Sequence, residues 1–557
     1  MCLFLHNNNV YRTTVKRKLL TTVAALSMTA AAFACTNLIV GKNASTDGSV
    51  MVSYSADDYG MFGHLCHYPA GIHAKGEMRK IFDWDSGVYH GEIPEALVTY
   101  NVIGNINEYQ LSIAETTYGG REEMVDETGI IDYGSLIYLG LQRAKTAREA
   151  IKVMTTLAET YGYCSSGETF SICDPEEAWI MEMMGTGKGS KGVVWVAVRI
   201  PDNAICAHAN QSRIGKFDIK DKKNVMCSKN VISYARKMGW FDGKDSEFSW
   251  KHTYATPDFS GRRFCEARVW SFFNRHVKGF ERYLPWALGK DEDAEDMPLW
   301  VVPDNKLSLQ DVEASMRDHY EGTPMALDSA NVGGGVYEMP YRPTPLTFKV
   351  DGKEYFNERP ISTQQSAFTF VSQLRGWLPR EIGGVIWFGN DDANMVAFTP
   401  VYCGNTVQPE CYNTPGAGPV TFSDKNAFWV CNWVSNMVYP RYTQLFPELR
   451  EVRDSLEASY FAKQREIEQR ALAMYKDDDK SATIAFLNSY SCAKAAEMLD
   501  CWKSLATRII VKYNDMAVKK ERDGVMVREV VRPGYSRSFA KKLVKETGDW
   551  YAVPEKK

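Results

Sequence analysis

Two apolar stretches open the chain, and their patterns differ. Residues 19–33, LLTTVAALSMTAAAF, are small or apolar on every side with only Ser and Thr among them. Residues 36–41 and 50–57, TNLIVG and VMVSYSAD, are β-branched runs separated by the turn formers KNASTDGS, which predicts a β-hairpin. Further strands are expected at 95–104, 109–116, 169–174, 177–184 and 193–200, with DPEE at 174–177 as a tight turn between two of them. Over 133–161 apolar side chains recur three and four apart, the period of an amphipathic helix. Strand signal returns at 366–378, 383–392 and 395–402, a Pro/Gly-rich loop follows at 408–419, and periodic charged segments predict helices from 432 to 514. Strands, a helix, more strands and then helices make an α+β or layered α/β order with antiparallel strands joined by short turns. The polar stretch 218–258 reads as surface excursions and the acidic run 289–297 as a solvated loop.

Composition narrows the classes. The chain has 557 residues, long enough for an ordinary hydrophobic core without a disulfide or metal framework. Hydrophobic residues at 45% and charged residues at 24% fit a soluble globular protein and exclude disordered, collagenous and multi-span membrane classes. A net charge of −4 leaves no basic excess for a nucleic-acid partner. Thirteen cysteines are too sparse for a disulfide scaffold, so their meaning depends on the compartment.

The N-terminus speaks to that compartment. Arg12, Lys16, Arg17 and Lys18 precede the apolar run 19–33, which ends in Ala32-Phe33-Ala34 before Cys35. This is the pattern of a secretory signal peptide over residues 1–34, too short for an ordinary spanning helix, and it predicts an exported protein, periplasmic or secreted, with no stable membrane insertion after cleavage. Cleavage after Ala34 makes Cys35 the first residue. Such a Cys is either a lipoprotein anchor or a nucleophile served by its own α-amino group. The bulky Phe33 and the strand that starts directly at Thr36, with no polar tether, favour the nucleophile. An exported lipoprotein binding module anchored through Cys35 is the competing expectation.

The chemistry follows from one residue. A thiol of pKa about 8.5 and an α-amine of about 7.7–8.0 are matched near neutral pH, so the amine takes the thiol proton and no catalytic histidine is needed. Attack on an amide carbonyl then gives an oxyanion and an acyl-enzyme that water hydrolyses. No metal or other cofactor is called for: His64, Cys66 and His67 in HLCH have ligand-like spacing, but no second cluster accompanies them. With Cys35 and the signal's Cys2 set aside, eleven cysteines remain, an odd number whose pairing the sequence leaves open.

The segment CTNLIVGKNASTDGSVMVSYSADD resembles the mature start of the dipeptidase A type of N-terminal-nucleophile (Ntn) hydrolases. IGNINEYQLSIAETT, SSGETFSICDPEEAWIMEM, AHANQSRIG, DHYEGTP and SQLRGWLPREIGGVIWFGNDD extend the resemblance over about 35–514, with 515–557 unassigned. It implies an αββα four-layer sandwich with an additional helical C-terminal region, and a cysteine dipeptidase acting on short peptides. A related Ntn amidase on N-acyl or bile-salt-like amides is the alternative. By resemblance Cys35 is the nucleophile, Asp57 orients the α-ammonium or thiol, and Asn210 contributes to the oxyanion hole. Arg213 is placed to bind a substrate carboxylate, and Glu115, Thr116 and Thr117 end a strand where related enzymes put a second oxyanion donor. Read from the residues alone, Asp57 equally suits a turn cap and Arg213 a surface ion pair. At Tyr54 the sequence departs from the many relatives that have Arg, leaving open what cation, if any, stands beside the thiol.

Overall fold

The computed structural model describes residues 35–327, 332–476 and 480–555. The expected signal segment 1–34 lies outside them. Two large antiparallel sheets organise the described chain. The first has seven strands and is centred on the predicted hairpin: Asn37–Val40 pairs with Val50–Asp57, and the latter pairs on its other side with Ser366–Leu374. All eight residues of Val50–Asp57 are buried. A central strand covered on both faces buries its polar Ser53, Ser55 and Asp57 together with its apolar side chains.

The second sheet has eight strands, and its middle is the meander Ser112–Gly119, Gly167–Cys173, Ala178–Gly185 and Val193–Ile200. The tight turn forms as expected: Asp174 N–H donates to Glu177 O at 3.0 Å, and the Asp174 carboxylate accepts the Glu176 and Glu177 N–H groups at 2.8 Å each. Val50–Asp57 touches Ser112–Gly119 and Gly167–Cys173, so the sheets meet near the start of the chain. Helices Tyr133–Arg143 and Ala147–Tyr161 pack on the eight-stranded sheet, and Lys480–Lys512 packs on Thr399–Tyr402 of the other.

Three departures from the sequence reading have local causes. The helix expected over 133–161 is two helices, because Thr146 accepts from Glu149 N–H (3.3 Å) while Glu149 accepts from Lys145 N–H (2.9 Å), starting a second helix inside the periodic run. The polar stretch 218–258 is not all surface: Phe248, Trp250 and Tyr254 are buried among its charged residues. Ile205–His208, read only as part of a motif, is a strand that pairs with Asn37–Val40. Beyond the helices, Val518–Arg522 and Val525–Val531 form a hairpin and Arg537–Thr547 a helix with no buried residue. No helix of the described residues is long and apolar enough to cross a membrane. No disulfide joins the cysteines of the described residues, and no metal-holding group of His, Cys, Asp and Glu occurs among them.

Candidate active site

Cys35 stands one residue before a backbone bridge in which Thr36 N–H donates to Ser55 O (3.3 Å) and Ser55 N–H to Thr36 O (3.0 Å). That bridge brings the thiol level with the end of Val50–Asp57. The Cys35 residue is only 3% exposed, and Sγ lies 3.7 Å from Tyr54 Oη and 3.8 Å from Glu115 Oε1. Burial pushes the thiol well above its ordinary pKa, and the neighbouring charges of Glu115 and Asp57 push further, while the Asp57 backbone N–H pulls back. A thiol in this setting needs a base for its proton at the moment of attack.

One flank of the thiol carries cations. Asp57 is fully buried at the strand end; its carboxylate receives Ser366 Oγ–H at 2.5 Å, Ser55 Oγ–H at 3.0 Å and the Arg359 guanidinium. Burial raises the Asp57 pKa, and Arg359 with Ser366 holds it back. Arg268, on the helix Ala267–His276, is 1% exposed and donates to Cys35 O (2.7 Å), Thr36 Oγ1 (2.8 Å), Ala209 O (3.2 Å) and Asn210 Oδ1 (3.0 Å). Burial and the Arg359 charge lower its pKa to about 10, which leaves it cationic at neutral pH. One planar guanidinium thus ties the Cys35 backbone to Asn210. Asn210 follows Ile205–His208 in the left-handed region (φ 55°), a conformation Asn accepts more readily than most residues, and its Nδ2 donates to Thr117 O at 2.8 Å. An amide nitrogen has two hydrogens, so one remains for a developing oxyanion.

The other flank is acidic. Tyr54 Oη–H donates to Glu115 Oε1, and the buried Glu115 carboxyl acts electrostatically on that of Glu168. Burial, first of all, and the Glu115 charge beside it push the Glu168 pKa well up. Thr117 sits opposite Glu168 in the sheet register and donates to its Oε2 at 2.9 Å. Thr117 also lines a cavity of about 340 Å³ whose wall includes Asp83, Asp85, Glu127, His90 and Tyr133. Tyr133 Oη–H donates to Asp85 at 2.9 Å, and burial together with neighbouring carboxylates brings Asp85 to about 6. A larger cavity of about 790 Å³ is lined by Arg213, Ser249, Lys251, His252 and Trp300 among others, and Cys35 is not among its lining residues.

The peptidase family C69 model matches residues 34–66 and 61–455, a span that includes both flanks of Cys35. The chain belongs to peptidase family C69. Among its relatives, a probable dipeptidase of Salmonella dublin is 27% identical over 67% of this chain and 81% of the relative. A probable dipeptidase of Latilactobacillus sakei is 25% identical over 73% and 82%, and a probable dipeptidase B of Lactococcus lactis subsp. lactis is 24% identical over 82% and 91%.

Within this C69 chain the structure gathers Cys35, Asp57, Asn210, Glu115 and Thr117 and separates two expected residues from them. Arg213 lies apart from the thiol's neighbours: it is 1% exposed, its guanidinium is ion-paired to Glu266, and it donates to Pro298 O at 2.5 Å. Thr116 is fully buried with its hydroxyl on His208 Nδ1 at 2.8 Å. Burial drops His208 to about 3, leaving a neutral ring that bridges Thr116 and Ser171. Arg268, Arg359, Glu168, Tyr133 and Asp85 escaped the sequence reading. Only Arg268 had a local signal, a lone charge within the apolar run ARVWSFF that must be buried with its neighbours.

Proposed function

We propose that this C69 peptidase is an exported cysteine dipeptidase of the Ntn type, with Cys35 freed by removal of residues 1–34. The observation that carries the reading is the set of groups around the thiol: among the described residues no histidine or lysine is hydrogen-bonded to Sγ, whose neighbours are Tyr54 and Glu115. The base is then the α-amine of Cys35, held as ammonium after proton transfer beside Asp57. Sγ attacks the scissile carbonyl carbon, and the oxyanion is stabilised by the second Asn210 Nδ2 hydrogen. The ammonium returns its proton to the departing amine, and water, deprotonated by the same amine, releases the acyl group. Arg268 positions both partners. Two facing antiparallel sheets with helices on their outer sides support the αββα sandwich reading.

Relatives named probable dipeptidase support dipeptides as substrates. A lipid on Sγ would have to fit inside the core, since Cys35 is 3% exposed, which speaks for nucleophile over anchor. Turnover of unblocked dipeptides, N-acetylated dipeptides and bile-acid amides tests the assignment. Unblocked dipeptides should be turned over fastest; a preference for bile-acid amides would contradict it.

A further inference from the structure

The two flanks of Cys35 are charged differently, and the substrate of the proposed reaction carries one charge close to the bond that breaks. In an unblocked dipeptide the α-ammonium is two bonds from the attacked carbon, about 2.5 Å away. With Sγ poised about 3–3.5 Å from that carbon, the ammonium lies no more than about 6 Å from Sγ. Glu115 Oε1, at 3.8 Å from Sγ, is inside that radius. Resting on the dipeptidase reading, we propose that the acidic flank formed by Glu115, Glu168 and Asp85 binds the free α-ammonium of the substrate's first residue and so confines this enzyme to unblocked N-termini.

Three observations support this placement. First, Glu115 and Glu168 are 1% and 0% exposed, and Glu115 Oε2 and Glu168 Oε1 accept no N–H or O–H from the described residues. The donors that do reach the two carboxyls are uncharged: Tyr54 and the Cys35 thiol to Glu115, and Thr117 to Glu168. Second, the roughly 340 Å³ cavity beside them is walled by Asp83, Asp85 and Glu127, with neither Lys nor Arg among its described lining residues. Third, the acidic groups reach the cavity through its lining: Thr117, which donates to Glu168 at 2.9 Å, and Tyr133, which donates to Asp85 at 2.9 Å, both face it. The opposite flank offers no comparable place, because the Asp57 carboxylate is already held by Arg359, Ser366 and Ser55. A substrate ammonium does for the acidic flank what Arg359 does for Asp57. A free amine gains charge-assisted hydrogen bonds there, while an N-acylated substrate brings bulk and no charge to a buried acidic wall.

The test compares alanyl-alanine with propionyl-alanine, which differ only in the amine, in the mature wild type and in Asp85→Asn and Glu168→Gln. The quantity read is the ratio of the two kcat/KM values. The wild-type ratio should exceed about 100, and each variant should lower it by about tenfold or more, mainly through KM for alanyl-alanine. Asp85 is on an exposed loop, so Asp85→Asn decides the outcome if Glu168→Gln fails to fold. A wild-type ratio near one, or a ratio that neither soluble variant moves, would overturn the proposal while leaving a peptidase intact. A wild type that hydrolyses neither compound yet cleaves bile-acid amides would instead overturn the dipeptidase reading beneath it.

Discussion

The two sides of Cys35 solve the problem of buried charge in opposite ways. On the Asp57 side a carboxylate buried from water is answered inside the fold by Arg359, Ser366 and Ser55, and Arg268 adds a second cation that reaches Cys35 O and Asn210. On the Glu115 side two buried carboxyls lie together, the described donors to them are Tyr54, Thr117 and the Cys35 thiol, and Glu115 Oε2 and Glu168 Oε1 have no partner among the described residues. A side neutralised internally can hold geometry whether or not substrate is present. A side left acidic is less stable by itself and gains from a cation that arrives with the substrate. In the proposed reaction the first flank is the positioning side and the second the recognition side.

Substitutions on the two flanks should therefore fail differently. The thiol itself is the largest case: Cys35→Ala should reduce kcat by about 10⁴-fold or more while circular dichroism and melting stay near wild type, since only a buried sulfur is removed. On the cationic flank, Asn210→Ala should lower kcat by about 10²–10³-fold with a smaller change in KM, the signature of a contact strengthened in the transition state. Arg359→Met should cost about 3–5 kcal/mol of stability in denaturant unfolding, because it leaves Asp57 buried without its partner. On the acidic flank, Glu115→Gln removes a negative charge that raises the thiol pKa and favours protonated groups around it, so the acid limb of the kcat/KM–pH profile should move to lower pH. An unmoved or upward-shifted limb would contradict that electrostatic role, and a loss of kcat at every pH would instead mark Glu115 as a base. Tyr54→Phe, which removes one hydroxyl between Sγ and Glu115, should change kcat only a few-fold.

How much of this was legible in the sequence depends on the distance over which each contact closes. The hairpin carrying Cys35 and Asp57 is local, and its β-branched runs and turn residues give it directly. The meander strands were readable for the same reason, though the break between the helices at 144–146 was hidden because the apolar period continues across it. Arg268 meets Cys35 across 233 positions and Arg359 meets Asp57 across 302, so only the strand order and the docking of Ala267–His276 bring them together. The same limit explains Arg213. Three residues from Asn210 in sequence, it follows a left-handed turn that sends its side chain toward Glu266 and away from the thiol. The missing Arg at Tyr54 also has a structural counterpart: cations enter the site from helix and loop, while Tyr54 serves the acidic side.

The central claim is that Cys35 is both nucleophile and base, and the most direct measurement changes only what precedes it. Dipeptide turnover should be compared between protein whose N-terminal residue, established by intact mass, is Cys35 and protein retaining uncleavable residues before it. The account predicts full activity in the first and a loss of about 10³-fold or more in the second, because an amide nitrogen takes no proton from the thiol. Equal activity in the two forms would contradict it.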